Sequence, residues 1–368
     1  MKFKVPYIDL PKQYANMETD LSSAIKAVFS SGSFILRDDV KKFEKNMANY
    51  LGCRCIIGLN SGTDSLFLAI HAQRFEPASE IITVSHTFIA TIAAIKHCGL
   101  EPVLVDIGED YNMDVNRIEE AVTNRTCGII PVHLNGRACE MSKIMEIAKR
   151  HDLVVIEDSC QALGASYKGK KTGTFGIGCF SLHPIKTVGA PGDGGFLATD
   201  DESFAEKIRL LRDHGQKTKD EIEAFGFNSR LDNLHAAVLN IKYKYLKKWI
   251  EKRRTIASKY HQGLFSISEL RLPPPPSDGE FYDVYSSYCI CAERRDDLVE
   301  HLARKGIEVF VHWRKPVHLQ KALGLGKFNL PRTEYVSKTV LSLPIYPEME
   351  DSAVDVVIAA IKKFYHKK

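Results

Sequence analysis

Residues 127–158 read CGIIPVHLNGRACEMSKIMEIAKRHDLVVIED. An apolar run (127–132) gives way to a stretch of helical periodicity (142–150), and a second apolar run (153–158) ends in two carboxylates, Glu157 and Asp158. Strand, helix and strand in that order predict a crossover unit, since parallel strands are joined by a helix and not by a tight turn. The same alternation extends upstream, with strands expected at 55–59, 80–84 and 102–106 and helices at 64–73, 88–97 and 115–122. It predicts an α/β fold: a parallel or mostly parallel sheet covered by helices on both faces. Ligands of such sheets bind outside the carboxyl ends of the strands. The chain places Asn60-Ser61-Gly62-Thr63, Ser85-His86-Thr87-Phe88, Asp106, His133 and Asp158 there.

Downstream, residues 176–200 read GIGCFSLHPIKTVGAPGDGGFLATD. Lys186 sits between a short apolar run and a glycine turn, Gly192-Asp193-Gly194-Gly195, that leads into another apolar run. A lysine in that setting, with Asp158 at a strand end 28 residues earlier, suggests an aldehyde cofactor held as a Schiff base, its ring nitrogen paired with the carboxylate.

Outside this region, helices are expected at 18–29, 38–51 and 202–214, and a long helical region at 231–263. The prolines 273–276 mark a linker-like break. Beyond them lie strands at 285–292 and 307–311 and helices at 295–305 and 352–365. We expect a large cofactor-binding domain with an N-terminal arm (1–250) and a small α+β domain (251–368).

The 368 residues are 44% apolar and 26% charged, with a formal net charge of +4. That is ordinary for a globular protein. The modest charge and the alternation of lysines with apolar residues at 242–248 point to a solvated helical face, and no nucleic-acid partner is expected. No apolar stretch approaches a membrane span and no apolar segment follows the charged start, so a cytoplasmic protein is expected. The nine scattered cysteines read as reduced core thiols, and the C-x-C pairs Cys53/Cys55 and Cys289/Cys291 lack zinc spacing, so no metal is expected.

Each motif carries two readings. Asn60-Ser61-Gly62-Thr63 opens a helix and is either a phosphate seat or merely an N-cap. Asp158 either caps the next segment of chain or holds a pyridine nitrogen protonated. Phe88 is either a core aromatic or a platform for a cofactor ring, and His183 is either a core histidine or a neighbour of the reacting centre. Lys186 is either a surface charge or, desolvated, a nucleophile and base.

The stretches NSGTDSL, HTFIAT, PVLVDI, PVHLNGR, EDSCQALGASYKGKKTGTFG, CFSLHPIKTVGAPGDGG, GFNSRLDNLHAA and LSLPIYPEM together resemble the DegT/DnrJ/EryC1/StrS family of pyridoxal-phosphate-dependent sugar aminotransferases. The resemblance runs from about residue 7 to the C-terminus. It implies the fold-type I architecture, with a mixed, mostly parallel seven-stranded sheet flanked by helices and a small C-terminal domain, in a homodimer whose active sites lie at the interface. It further implies that Lys186 bonds covalently to pyridoxal 5'-phosphate and moves the proton, with pyridoxamine 5'-phosphate as the aminated form. By the same resemblance Asp158 holds the ring nitrogen, Gln161 the ring hydroxyl side, Phe88 the ring face, and Gly62, Thr63 and Ser181 the phosphate, with Asn228 entering from the neighbouring subunit. Phe34, Arg37, His133, His183, Arg230 and His312 border the sugar or nucleotide in this reading.

Lysine at 186, where dehydrating relatives have histidine, favours amination over dehydration. Arg37 and Asn135-Gly136-Arg137 depart from common family residues, and an anionic substrate group would suit either arginine. The expected activity is transfer of an amino group, from glutamate, to a keto-sugar in bacterial surface-glycan or amino-sugar biosynthesis. A nucleotide-linked keto-deoxyhexose aminated at C3 is favoured over C4 from the form of the 189–195 turn. The alternatives are an eight-carbon keto sugar acid as acceptor, a sugar dehydratase, and a non-catalytic regulator that binds the cofactor.

Overall fold

The computed structural model describes residues 3–366. Its centre is a seven-stranded sheet built from β1 (Cys55–Leu59), β2 (Glu80–Val84), β3 (Glu101–Val105), β4 (Thr126–Ile129), β5 (Val154–Asp158), β6 (Ile177–Ser181) and β7 (Gly195–Thr199). The strand order is β1-β7-β6-β5-β4-β2-β3. β7 runs antiparallel to both of its neighbours, and every other pair is parallel. The sheet is therefore mixed and mostly parallel, as the resemblance implies. β1, β2 and β7 are buried along their whole length, which is why they read as continuous apolar runs and not as alternating ones.

Helices cover the sheet: α1 (Glu18–Ser31), α2 (Asp38–Leu51), α3 (Gly62–His71), α4 (Ile89–His97), α5 (Met141–Arg150), α6 (Glu202–Arg212) and α7 (Asn233–Tyr243). On one face Phe180 and Phe196 stack with ring centroids 4.4 Å apart, and Phe43 of α2 meets Phe196 edge-on at 5.8 Å. Each of these rings is fully buried and contributes about 1.5–3 kcal/mol. The segment before β6 is packed equally tightly, because a Cβ on Gly176 would lie 2.2 Å from Val155 O.

The C-terminal part holds α8 (Leu246–Leu264), the strands β8 (Tyr288–Ala292) and β9 (Val340–Leu343), and helices α9 (Arg295–Arg304), α10 (Pro331–Thr339) and α11 (Asp351–Tyr365). Its core takes in Val5 from the N-terminal arm, which bridges Ile307. No helix among the described residues is long and apolar enough to cross a membrane.

Four local expectations change. The helical region 231–263 is two helices, broken at Lys244 and Tyr245. The strand expected at 307–311 is reduced to single bridges at Ile307 and Phe310. Residues 115–122 form one short 3-10 segment and a single α turn. The run at 242–248 is not wholly a solvated face, since Lys242 is buried and its Nζ donates to Gly189 O at 2.8 Å.

Candidate active site

The carboxyl edge of the sheet gathers most of the residues singled out by sequence. β1 runs into Asn60 and Ser61, and Ser61 caps α3, its Oγ accepting from Asp64 N at 3.0 Å. The N-cap reading of this motif therefore holds for Ser61. It leaves Gly62 N–H and Thr63 N–H in the first helical turn, where no intrahelical acceptor exists. Gly62 is pressed against β6 and the loop after β5: an added Cβ would lie 2.8 Å from both Cys160 Sγ and Ser181 Cβ. Small residues thus bring a helix N-terminus and Ser181 together, an arrangement suited to an anion.

Asp158 closes β5 and is buried. Its Oδ2 accepts from Thr91 Oγ1 at 2.7 Å, Thr91 Oγ1 lies 2.9 Å from Thr87 Oγ1, and its Oδ1 accepts from Cys160 N at 3.2 Å. Cys160 ties this carboxylate to Lys186: burial and Asp158 push its thiol pKa up, while Lys186 pulls it down. Phe88 caps α4 and keeps 58% of its surface exposed at this edge, so it is not a core aromatic. Gln161 Oε1 accepts from Asn135 N at 3.0 Å, leaving its amide N–H groups for another partner.

Lys186 follows β6 on a tight loop. Its N–H donates to His183 O at 2.8 Å, Leu182 N donates to Gly194 O, and Ala190 N to Leu182 O, both at 2.7 Å. A Cβ on Gly189 would sit 2.3 Å from Pro184 O, so the loop closes only with glycine there. His183 is exposed on the same loop, its N–H on Ser181 Oγ and its Nδ1 accepting from Ile185 N. His312 comes from the C-terminal part; burial, with the Lys186 cation beside it, lowers its pKa to about 4. Its ring lies between Phe310 and Trp313 at 4.8 and 5.2 Å, and Tyr7 OH is 3.4 Å from its Nε2.

Other expected residues lie elsewhere or are occupied. His133 is fully buried with both ring nitrogens engaged: Nδ1 accepts from Cys139 N at 3.0 Å, so Nε2 carries the proton that it donates to Glu157 at 2.9 Å. No ring nitrogen of His133 remains to bond a sugar. Arg137 is likewise not available to an anion, because Asp110 and Asp283 hold it at 3.2 and 2.7 Å and Phe281 lies under its guanidinium. Arg230 pairs with Asp213 at 3.1 Å, and Asn228 is exposed, its backbone bridging Asp213. Phe34, 42% exposed and edge-on to Phe29, and the exposed Arg37 lie on the turn between α1 and α2.

Thr91, Cys160 and Tyr7 were not legible as site residues. Thr91 lies one helical turn after Phe88, a spacing that could have shown it facing the same way. Tyr7 carried no local signal. Ser85, His318 and Glu334 have the residue types of a hydrolytic triad, with Ser85 Oγ 2.8 Å from His318 Nδ1 and His318 Nε2 3.4 Å from Glu334. Ser85 is fully buried and its Oγ also accepts His318 N–H, so the group anchors residues 317–319 to the end of β2 instead of attacking a substrate.

A model of the DegT/DnrJ/EryC1/StrS aminotransferase family matches residues 15–362. A "Pleiotropic regulatory protein" of Geobacillus stearothermophilus is 41% identical over 98% of this chain and 98% of its own length. A "dTDP-3-amino-3,4,6-trideoxy-alpha-D-glucose transaminase" of Streptomyces venezuelae is 37% identical over 98% of this chain and 96% of its own length. Among solved structures, ntda from Bacillus subtilis with bound cofactor pmp superposes with a TM-score of 0.93 at 31% identity, covering 99% of this chain and 86% of that one.

Proposed function

The chain belongs to the DegT/DnrJ/EryC1/StrS aminotransferase family, and from that premise we propose that it transfers an amino group from glutamate to C3 of a nucleotide-linked keto-deoxyhexose in amino-sugar or surface-glycan biosynthesis. The observation that carries the reading is Lys186 on a closed glycine-dependent loop that leaves the same carboxyl edge as the buried Asp158, whose neighbour Cys160 abuts the Gly62 seat. These residues fit pyridoxal 5'-phosphate: the α3 N-terminus, Ser181 and Thr63 would hold its phosphate, Asp158 its ring nitrogen, Gln161 its hydroxyl, and Phe88 its ring face. When bound, the cofactor supplies an aldehyde that takes up an amino group and a ring that withdraws electrons from the carbon bearing it.

The chain's own residues supply the rest. Lys186 Nζ is the covalent attachment point and then carries the proton to and from the substrate carbon. Thr91 and Cys160 N–H orient the Asp158 carboxylate and leave lone pairs on each oxygen for a cation. His312, neutral above about pH 4, offers a hydrogen bond beside Lys186 without adding a competing charge.

The C3 preference rests on the form of the 189–195 turn and on the S. venezuelae relative, whose name specifies a 3-amino sugar. Of the two arginines that sequence offered to an anionic substrate group, Arg137 is taken up by two aspartates and only the exposed Arg37 remains, which gives the eight-carbon acid acceptor less support. A homodimer accords with the loop before Asn228, where Phe225 is 99% exposed in the single chain. The test is spectroscopic: protein reconstituted with pyridoxal phosphate should show a near-visible band that glutamate bleaches and a nucleotide-linked 3-keto sugar restores. A Lys186→Ala variant with unchanged spectrum and turnover would sink the reading.

The relative from G. stearothermophilus, named as a regulator, favours a second reading in which the chain binds cofactor and signals. Bleaching by glutamate with no amination of any keto-sugar tried would support it.

A further inference from the structure

Helix α7 lies against the loop that carries Lys186. Lys242, near its C-terminus, is buried with its Nζ 2.8 Å from Gly189 O. His235, seven residues earlier and so on the same helical face, donates through Nδ1 to Asp193 O at 3.0 Å. Its ring also abuts Gly192, where an added Cβ would meet His235 Cε1 at 3.1 Å. The loop's backbone bonds, Lys186 N to His183 O, Ala190 N to Leu182 O and Leu182 N to Gly194 O, are all internal. The two bonds from α7 come from outside it.

The other face of the helix grips the first turn of α2 and the turn before it. Asn233 Oδ1 accepts from Asp39 N and Val40 N at 3.1 and 3.3 Å, its Nδ2 donates to Ser33 O at 2.8 Å, and Asn240 Nδ2 donates to Asp39 O at 3.0 Å. One helix thus joins the Lys186 loop to the turn that bears Phe34 and Arg37. A buried ammonium group is costly, and an apolar side chain of the same length would fill the volume. Burial lowers the Lys242 pKa, with Glu348 opposing the shift. Packing alone therefore does not account for a lysine at this position.

We propose that Lys242, with His235, is a positioning residue: it holds the far limb of the loop through Gly189 O and so fixes the reach and direction of Lys186 without touching substrate. This rests on the aminotransferase reading above.

The test uses the full chain as Lys242→Met and Lys242→Arg. In cofactor-free protein, amide hydrogen exchange in residues 183–195 should accelerate about tenfold in Lys242→Met while the rest of the sheet keeps its protection. With cofactor, kcat should fall about 10–100-fold with KM nearly unchanged, since only the placement of the reacting amine is loosened. Lys242→Arg, which keeps a donor, should recover most of both losses. Wild-type exchange in 183–195 together with wild-type kcat in Lys242→Met would overturn the proposal, as would acceleration spread evenly over the whole chain. Should Lys242→Met fail to fold, His235→Phe decides: about threefold faster exchange confined to 183–195 supports the proposal, and none overturns it. The exchange arm needs no cofactor, so a wild-type protein that never reacts with pyridoxal phosphate would refute the enzymatic reading while the role of Lys242 is still measured.

Discussion

β5 ends in two carboxylates whose surroundings could hardly differ more. Glu157 is fully buried, and its oxygens accept from His133 Nε2, Gly173 N, Phe175 N and Gly176 N at 2.7–2.9 Å. Asp158, on the opposite face of the strand, takes one hydroxyl and one amide, among Thr91, Cys160 and the Gly62 seat. The Glu157 side is closed, and three backbone amides of one loop converge on a single carboxylate to fix that loop against the sheet. The Asp158 side keeps spare lone pairs and an exposed aromatic, Phe88, as the proposed cofactor site requires. Saturation separates the scaffold carboxylate from the one available for chemistry.

The sharpest way to break this contrast is on the open side. Lys186→Ala should lower transamination by about 10^4-fold or more while leaving the fold intact, because the lost group acts on substrate and not on neighbours. Single-turnover bleaching by glutamate measures it, and a loss below about tenfold would remove Lys186 from the chemistry. On the closed side, Glu157→Ala should cost about 3–5 kcal/mol of stability by stranding the buried amide of Gly173, the half-buried amides of Phe175 and Gly176, and His133. Urea unfolding measures this, and a cost under about 1 kcal/mol would show that the convergence on Glu157 is not what holds the 173–176 loop. Asp158→Asn removes the charge but keeps the shape: turnover should drop about 10^2–10^3-fold with a stability change smaller than that of Glu157→Ala. If instead the two variants lose equal stability, the contrast between the two faces fails.

The sheet was legible because strands such as β1 and β7 are buried along their whole length and read as apolar runs, separated by amphipathic helices such as α5. β7 shows the limit of that logic: its apolar run declares a buried strand, but its antiparallel direction depends on the short turn after the Lys186 loop, a tertiary fact. Asp158 and Lys186 were legible from chain position at strand ends. Glu157 and His133 were not told apart from them, because adjacent strand residues look alike in sequence while their faces decide what they meet. Arg137 misled for the same reason, its partners Asp110 and Asp283 being distant in the chain. Lys242 looked like one more surface lysine of a basic run, but it belongs to α7 and shares the loop-facing side of that helix with His235.

The smallest expected effect separates the two sides by their histidines. Burial, reinforced by the neighbouring His312, lowers the His86 pKa to about 3, and burial with Lys186 lowers that of His312 to about 4, against 6.5 for both when exposed. Between 6.5 and these values the unfolded chain binds more protons than the folded one, so stability from this pair is complete above 6.5 and declines as pH falls toward 4. His86 Nδ1 has no hydrogen-bond partner among the described residues, so no bond in the fold offsets its protonation. Acidification from about pH 7 to about 4.5 should therefore lower unfolding free energy, and His86→Phe should flatten that slope by about 2–3 kcal/mol over the interval. Urea titrations of both proteins at three pH values measure it. An unchanged slope in His86→Phe would mean that the acid sensitivity lies in other groups, and that the open side of β5 is no more responsive to protonation than the closed one.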